Sequence, residues 1–122
     1  MSNVLVFIEQ RDGKIRKASF EALTLGREVA AKTGGALGAV VAGSGIGGLA
    51  PELAAYGAAK VFVADKPELA LYSCEGYTAA LDAAVAAFAP AVVLVPATSM
   101  GKDVAPRLAA RRKVGLLSDV MS

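Results

Sequence analysis

Ala91-Val92-Val93-Leu94-Val95-Pro96-Ala97-Thr98-Ser99-Met100-Gly101-Lys102-Asp103-Val104-Ala105-Pro106-Arg107-Leu108-Ala109-Ala110 decides how this chain folds. Its first five residues are apolar and Val-rich, which suits a strand buried on both faces of a sheet. Pro96 ends that strand, a small polar loop follows, and Asp103 is placed to cap a helix whose first turn accepts Pro106. Strand, glycine loop and helix N-terminus meet at Gly101, the arrangement that makes anion sites in open α/β proteins.

The pattern repeats on either side. Val4-Leu5-Val6-Phe7-Ile8 reads as a first buried strand, with a turn at Asp12-Gly13. Ser19 is placed to cap a helix running to Thr33, with Gly34 as its stop and Ala22, Leu25, Val29 and Ala30 as its apolar face. Gly26 lets this helix approach the sheet closely. Ala39-Val40-Val41-Ala42 is the second strand, and a short helix near Pro51–Tyr56 follows a glycine-rich loop. Lys60-Val61-Phe62-Val63-Ala64 is the third strand, closed by Asp65. A helix after Ser73 keeps helical spacing through Tyr77, Ala80, Leu81, Ala84, Val85 and Phe88. The quoted stretch supplies the fourth strand and its helix, and Val114–Leu117 begins a fifth strand.

Strands alternating with helices imply an open parallel five-stranded α/β sheet with helices on both faces. The expected order is 3-2-1-4-5, with a topological switch point between strands 1 and 4. Ligands of such sheets bind beyond the strand C-termini there, at Glu9–Arg11 and Pro96–Lys102.

Bulk composition narrows the function classes. The 122 residues suffice for one domain that buries roughly two-thirds of its unfolded surface. At 55% hydrophobic and 6% aromatic, with no Trp, small side chains must fill the helix–sheet contacts. No apolar run reaches the ~18 residues of a membrane span. A net charge of +2 is too small to imply nucleic acid. Strand-like residues from Val4 leave no room for a signal or transit peptide, so the expected location is the cytoplasm. Cys74 is the only cysteine, which excludes an internal disulfide, and the absence of His removes His-based catalysis and His-ligated metal.

Each candidate motif has a plainer rival. Gly43, Gly45 and Gly48 match G-x-G-x-x-G, and Asp65 stands near the distance of a ribose-binding acid. They follow the second strand, however, and a dinucleotide site uses the first strand–helix turn. A flexible connection packed closely on the sheet is the preferred reading. Lys102 and the helix start could hold a phosphate, but Asp103 would repel it, and the stretch lacks the spacing of a P-loop. An ordinary capped helix is preferred there too. Arg107, Arg111, Arg112 and Lys113 complement the helix dipole, with docking to a carboxylate as the rival role. Cys74 near a helix N-terminus lacks a His or a second Cys for redox or nucleophilic work. No residue is therefore assigned as catalytic, cofactor-binding or metal-ligating, and the residues alone name no reaction.

Several segments together resemble the electron transfer flavoprotein α-subunit. They are Val4-Leu5-Val6-Phe7-Ile8-Glu9, Asp12-Gly13-Lys14-Ile15 ahead of Ser19, and Tyr56-Gly57-Ala58-Ala59-Lys60-Val61-Phe62-Val63-Ala64-Asp65. The Pro96–Ala110 stretch and the closing Gly115-Leu116-Leu117-Ser118-Asp119-Val120 complete the likeness, with the glycine-rich Gly43–Gly48 as a local departure. The resemblance implies that residues 1–122 are the N-terminal domain, with an adenine-nucleotide α-hydrolase-like fold. It places FAD in a C-terminal domain with no counterpart here, so this segment alone is expected to bind none. It implies a heterodimer with a β-subunit and electron transfer from dehydrogenases, such as those of acyl-CoA in fatty acid β-oxidation, to a quinone oxidoreductase. An electron carrier, not an enzyme, is the expectation. The bacterial cytoplasm is the expected setting, or the mitochondrial matrix in a eukaryote. Two alternatives stand beside it. One is an AMP- or ATP-binding module of the universal-stress type, although its G-x-x-G-x₉-G-[ST] loop is absent after Val95. The other is the nitrogen-fixation branch of the same flavoprotein family.

Overall fold

In the computed structural model, residues 3–11, 13–69, 74–96, 104, 107 and 116–120 are described. The chain begins with β1 (Val4–Ile8), then a hairpin of β2 (Gln10–Arg11) and β3 (Lys14–Ile15), and α1 (Lys17–Thr33). Next come β4 (Leu37–Gly43), α2 (Leu49–Ala55), β5 (Lys60–Asp65) and a single 3₁₀ turn at Pro67–Leu69. α3 (Cys74–Phe88), β6 (Val92–Pro96) and β7 (Leu116–Val120) complete the described elements.

Five strands form one parallel sheet in the order β5-β4-β1-β6-β7, which is the 3-2-1-4-5 order expected from the sequence. β1 is central and buried throughout, because alternate side chains enter two separate apolar layers. Val4, Val6 and Ile8 meet Ala22, Leu23 and Ala30 of α1 and Leu49 and Leu53 of α2. Leu5 and Phe7 meet Tyr77, Leu81, Val85 and Phe88 of α3 on the other face, together with Val104. Burying each large side chain is worth about 1.5–3 kcal/mol, so the two layers jointly fix strand register. Asn3 ties the N-terminal end of the sheet. Its side chain donates to Phe88 O and accepts from Ala36 N–H, and its carbonyl accepts from Ala91 N–H.

Helix α1 departs from its sequence reading at the start. It begins at Lys17 with Arg16 as N-cap residue, and no side chain caps it. Ser19, expected as the cap, is fully buried one turn inside the helix. Its hydroxyl accepts from Glu9 N–H at 2.7 Å and donates to Glu9 O at 3.2 Å. A buried, unpaired strand-end amide is costly, and meeting it outweighs the capping preference of serine. The apolar face is also turned from the expected one. Leu23 is fully buried whereas Leu25 is 37% exposed. The stop is as read: Gly34 adopts a left-handed conformation and donates to Ala30 O. Gly26 sits against the sheet, where a Cβ would lie 2.9 Å from Leu37 Cδ1 and Val6 Cγ2.

Smaller differences are those of length and register. The second strand starts at Leu37, the short helix spans Leu49–Ala55, and the fifth strand is Leu116–Val120. The expected face of α3 holds, with Ala80 only partly buried. The pairing of β2 with β3 was not foreseen. Ser73 and Asp103, expected as helix caps, lie outside the described residues, although Val104 and Arg107 are helical, buried and exposed respectively.

Candidate functional site

The switch point between β1 and β6 is where a sheet of this order offers a crevice. On the β1 side the chain turns at once into the β2–β3 hairpin, with Gln10 opposite Ile15 and Arg11 opposite Lys14. Gln10 braces this region from three sides. Its Nε2 donates to Ala42 O at the end of β4, and its Oε1 accepts from Gly13 N–H in the hairpin turn. It also hydrogen-bonds Tyr77 at the start of α3. The Tyr77 hydroxyl in turn donates to Leu69 O at 3.3 Å. Burial holds that hydroxyl's pKa above the ordinary tyrosine value, while the hydrogen bond with Gln10 works against the rise.

Glu9 is held just as firmly. Its backbone is bridged by Ser19, its carbonyl also accepts from Arg16 N–H, and its carboxylate lies 3.8 Å from Arg16 Nε. Arg16 is half exposed, so solvent weakens this ion pair to little net stabilisation.

Beside the crevice, the glycine-rich loop has its own acceptor. One Asp65 oxygen accepts from Gly45 N–H at 2.7 Å, and the other accepts from Gly47 N–H at 3.2 Å. Gly45 reaches that position with φ of +68°, which a side chain would strain. These are the donors a bound phosphate would use, and the chain's own carboxylate occupies them. Lys66 N–H donates to Gly43 O and pulls the end of β5 against the loop. The G-x-G-x-x-G match is thus an internally bonded connection held by Asp65, and the open space beside Gly45 and Gly48 differs from the close packing expected. Asp65 belongs to that connection.

The fourth-strand loop at Ala97–Lys102, and the cations Arg111, Arg112 and Lys113, lie outside the described residues. Cys74 opens α3 and Arg107 is exposed on its helix. Among the described residues no three His, Cys, Asp or Glu side chains gather as a metal site. No described helix is long and apolar enough to cross a membrane. Sequence reasoning placed a turn at Asp12-Gly13 and Gln10 within the switch-point stretch Glu9–Arg11, but it read neither the strand pairing nor the bonds of Gln10. The signal was present as Asp12-Gly13 between two short polar runs, the strongest two-residue hairpin signature.

Known proteins similar to this chain point one way. The family model for the electron transfer flavoprotein domain matches residues 4–122. An electron transfer flavoprotein subunit alpha from Syntrophomonas wolfei is 42% identical over 121 residues, 99% of this chain and 37% of that protein. An acryloyl-CoA reductase electron transfer subunit beta from Anaerotignum propionicum is 40% identical over 117 residues, 96% of this chain and 32% of that protein. The chain thus spans about a third of the length of these curated relatives. Among solved structures, a universal stress protein in complex with cAMP superposes with a TM-score of 0.63 at 19% identity, covering 99% of this chain and 98% of that one. That likeness speaks to fold alone and agrees with the adenine-nucleotide α-hydrolase-like architecture. The family match, by contrast, spans almost every residue, and by it this chain belongs to the electron transfer flavoprotein family, with α-subunits among its relatives.

Proposed function

We propose that residues 1–122 form the N-terminal domain of an electron transfer flavoprotein α-subunit and act as its scaffold and partner-binding domain. The observation that carries this reading is the family match over residues 4–122. The geometry of the sheet's C-terminal edge supports the scaffold role. Gln10, Ser19 and Asp65 direct their polar atoms to neighbouring backbone groups, which makes the described part of the crevice self-bonded. The described residues do not fit a flavin site, since the loop donors that would meet its phosphates are taken by Asp65. FAD is held by a C-terminal domain and supplies the redox chemistry. The α-subunit pairs with a β-subunit in the bacterial cytoplasm. The pair carries electrons from dehydrogenases, including those that oxidise acyl-CoA in fatty acid β-oxidation, to a quinone oxidoreductase.

Flavin absorbance tests this division of labour. The intact protein, co-expressed with its companion subunit, should purify yellow and be reduced by a dehydrogenase with its substrate. Residues 1–122 alone should stay colourless on titration with FAD. A stoichiometric yellow complex with residues 1–122 would move the cofactor into this domain and refute the scaffold reading.

A further inference from the structure

Strand β5 is an edge of the sheet, guarded by flanking lysines but by neither bulge nor proline. It pairs with β4 over six consecutive residues, Lys60 to Asp65, with no bulge and no proline. Natural edges are usually short, bulged, proline-bearing or covered. The far edge follows that rule, since the β6–β7 register is irregular between Leu94 and Pro96. Among the described residues no strand lies on the outer side of β5.

Its side chains are left partly open as well. Helix α3 packs on β4 and β1, and it leaves a groove of about 670 Å³ beside β5. Val40, Phe62, Ala64, Ala80 and Ala84 line this groove, with Lys66 at one end. Val63, between Phe62 and Ala64, is 38% exposed. The free backbone faces the same space. Lys66 N–H donates inward to Gly43 O, and with Gly43 opposite Asp65 the alternation of a parallel ladder turns the N–H groups of Val61, Val63 and Asp65 outward.

Charge decides what could fill the space. Lys60 and Lys66 are both exposed and, six positions apart, fall on one face of the strand line. A second copy would pair with β5 about a two-fold axis normal to the sheet. Centred on Phe62, that pairing sets Lys60 diagonal to the Lys66 of the other copy. Centred on Val63, it sets the two ammonium groups directly opposite. Either register brings like charges together twice, so the edge discourages its own copy.

We propose that the free edge of β5 is a docking strand for an extended apolar segment of a partner protein that carries an acidic residue at each end. Such a segment spans roughly six residues, or about 20 Å, between the two lysines. Its backbone continues the sheet through the outward N–H groups of β5. One of its faces fills the groove against α3, and the other covers Val63. The acidic ends supply the charges opposite to those of Lys60 and Lys66, which gives the added strand its register. This inference is independent of the flavoprotein reading, because it uses only the geometry and charge of β5.

The test uses the intact protein and two synthetic probes, Glu-Val-Thr-Val-Thr-Val-Glu and the same peptide with Lys at both ends. Before peptide is added, the N–H groups of Val61, Val63 and Asp65 should exchange rapidly with deuterium. The Glu-ended peptide should slow those three and bind at least tenfold more tightly than the Lys-ended one. The Lys60→Glu, Lys66→Glu double variant changes only exposed side chains and should invert that preference. Equal binding of the two peptides, absence of binding, or protection at other sites would overturn the proposal. So would slow exchange before peptide addition. If the protein were then dimeric by light scattering, the edge would belong to a second copy; if monomeric, to the protein's own chain.

Discussion

Tyr77 joins a buried ring to a hydroxyl that reaches the backbone, donating to Leu69 O while it bonds Gln10. Its side chain is 3% exposed and burial raises its pKa, so the folded protein holds this proton more tightly than the unfolded chain does. A raised acid contributes stability in full below its unfolded pKa of about 10 and loses it as pH climbs through the folded value. Stability should therefore fall with rising pH in the alkaline range. In Tyr77→Phe that alkaline slope should be shallower, and at neutral pH the variant should lose about 1 kcal/mol with the bond to Leu69. Urea unfolding across a pH series measures both. An unchanged alkaline slope would mean that Tyr77 titrates alike in both states. Gln10 shows what residue-level reading leaves out. A glutamine carries no motif, and its three contacts lie on Ala42, Gly13 and Tyr77, which only the fold brings together.

At the scale of elements, α1 records a contest between helix preference and packing. Gly26 weakens the helix by about 1 kcal/mol relative to alanine. A Cβ there would press to 2.9 Å on both Leu37 Cδ1 and Val6 Cγ2, and overpacking of this kind costs about 1–3 kcal/mol. Val6 is fully buried at the centre of the sheet and has little room to yield. Gly26→Ala should accordingly lower stability by about 1 kcal/mol, read as a fall in the urea midpoint with the slope unchanged. A rise in midpoint would show that the helix yields more easily than the sheet resists. Strands β1, β4 and β6 were legible because burial on both faces writes a continuous apolar run. The length and spacing of α3 were legible through its period. The start of α1 was not, since a buried Ser19 and a capping Ser19 look alike until Glu9 is placed beside it. Nor was the exposure of Leu25, because Leu23 competes for the same face in an alanine-rich helix.

The whole molecule presents an open parallel α/β sheet whose glycine-loop donors face the chain's own carboxylate. Asp65 takes Gly45 and Gly47, and the β2–β3 hairpin itself forms the connection from β1 to α1. Free AMP or ATP should therefore bind no better than millimolar, a standard free energy of about −4 kcal/mol. Calorimetric titration of the intact protein at low salt checks this, and micromolar AMP binding removed by Lys102→Ala would revive the nucleotide-module reading. Topology was readable at this scale because alternating strands and helices leave few right-handed arrangements. Which face stays open was not, since that depends on where α3 crosses the sheet.

The central place of β1 also bears on synthesis at the ribosome. Val4–Ile8 is made before both of its neighbours, Leu37–Gly43 and Val92–Pro96. At ordinary translation rates of about 5–20 residues per second, one edge of this wholly apolar strand waits several seconds after the other has been paired. The bond from Asn3 to Phe88 O, 85 positions apart, cannot close before then. Nascent chains stalled between β4 and β6 should therefore be the form most dependent on chaperones, while those extended beyond β6 shield the strand themselves.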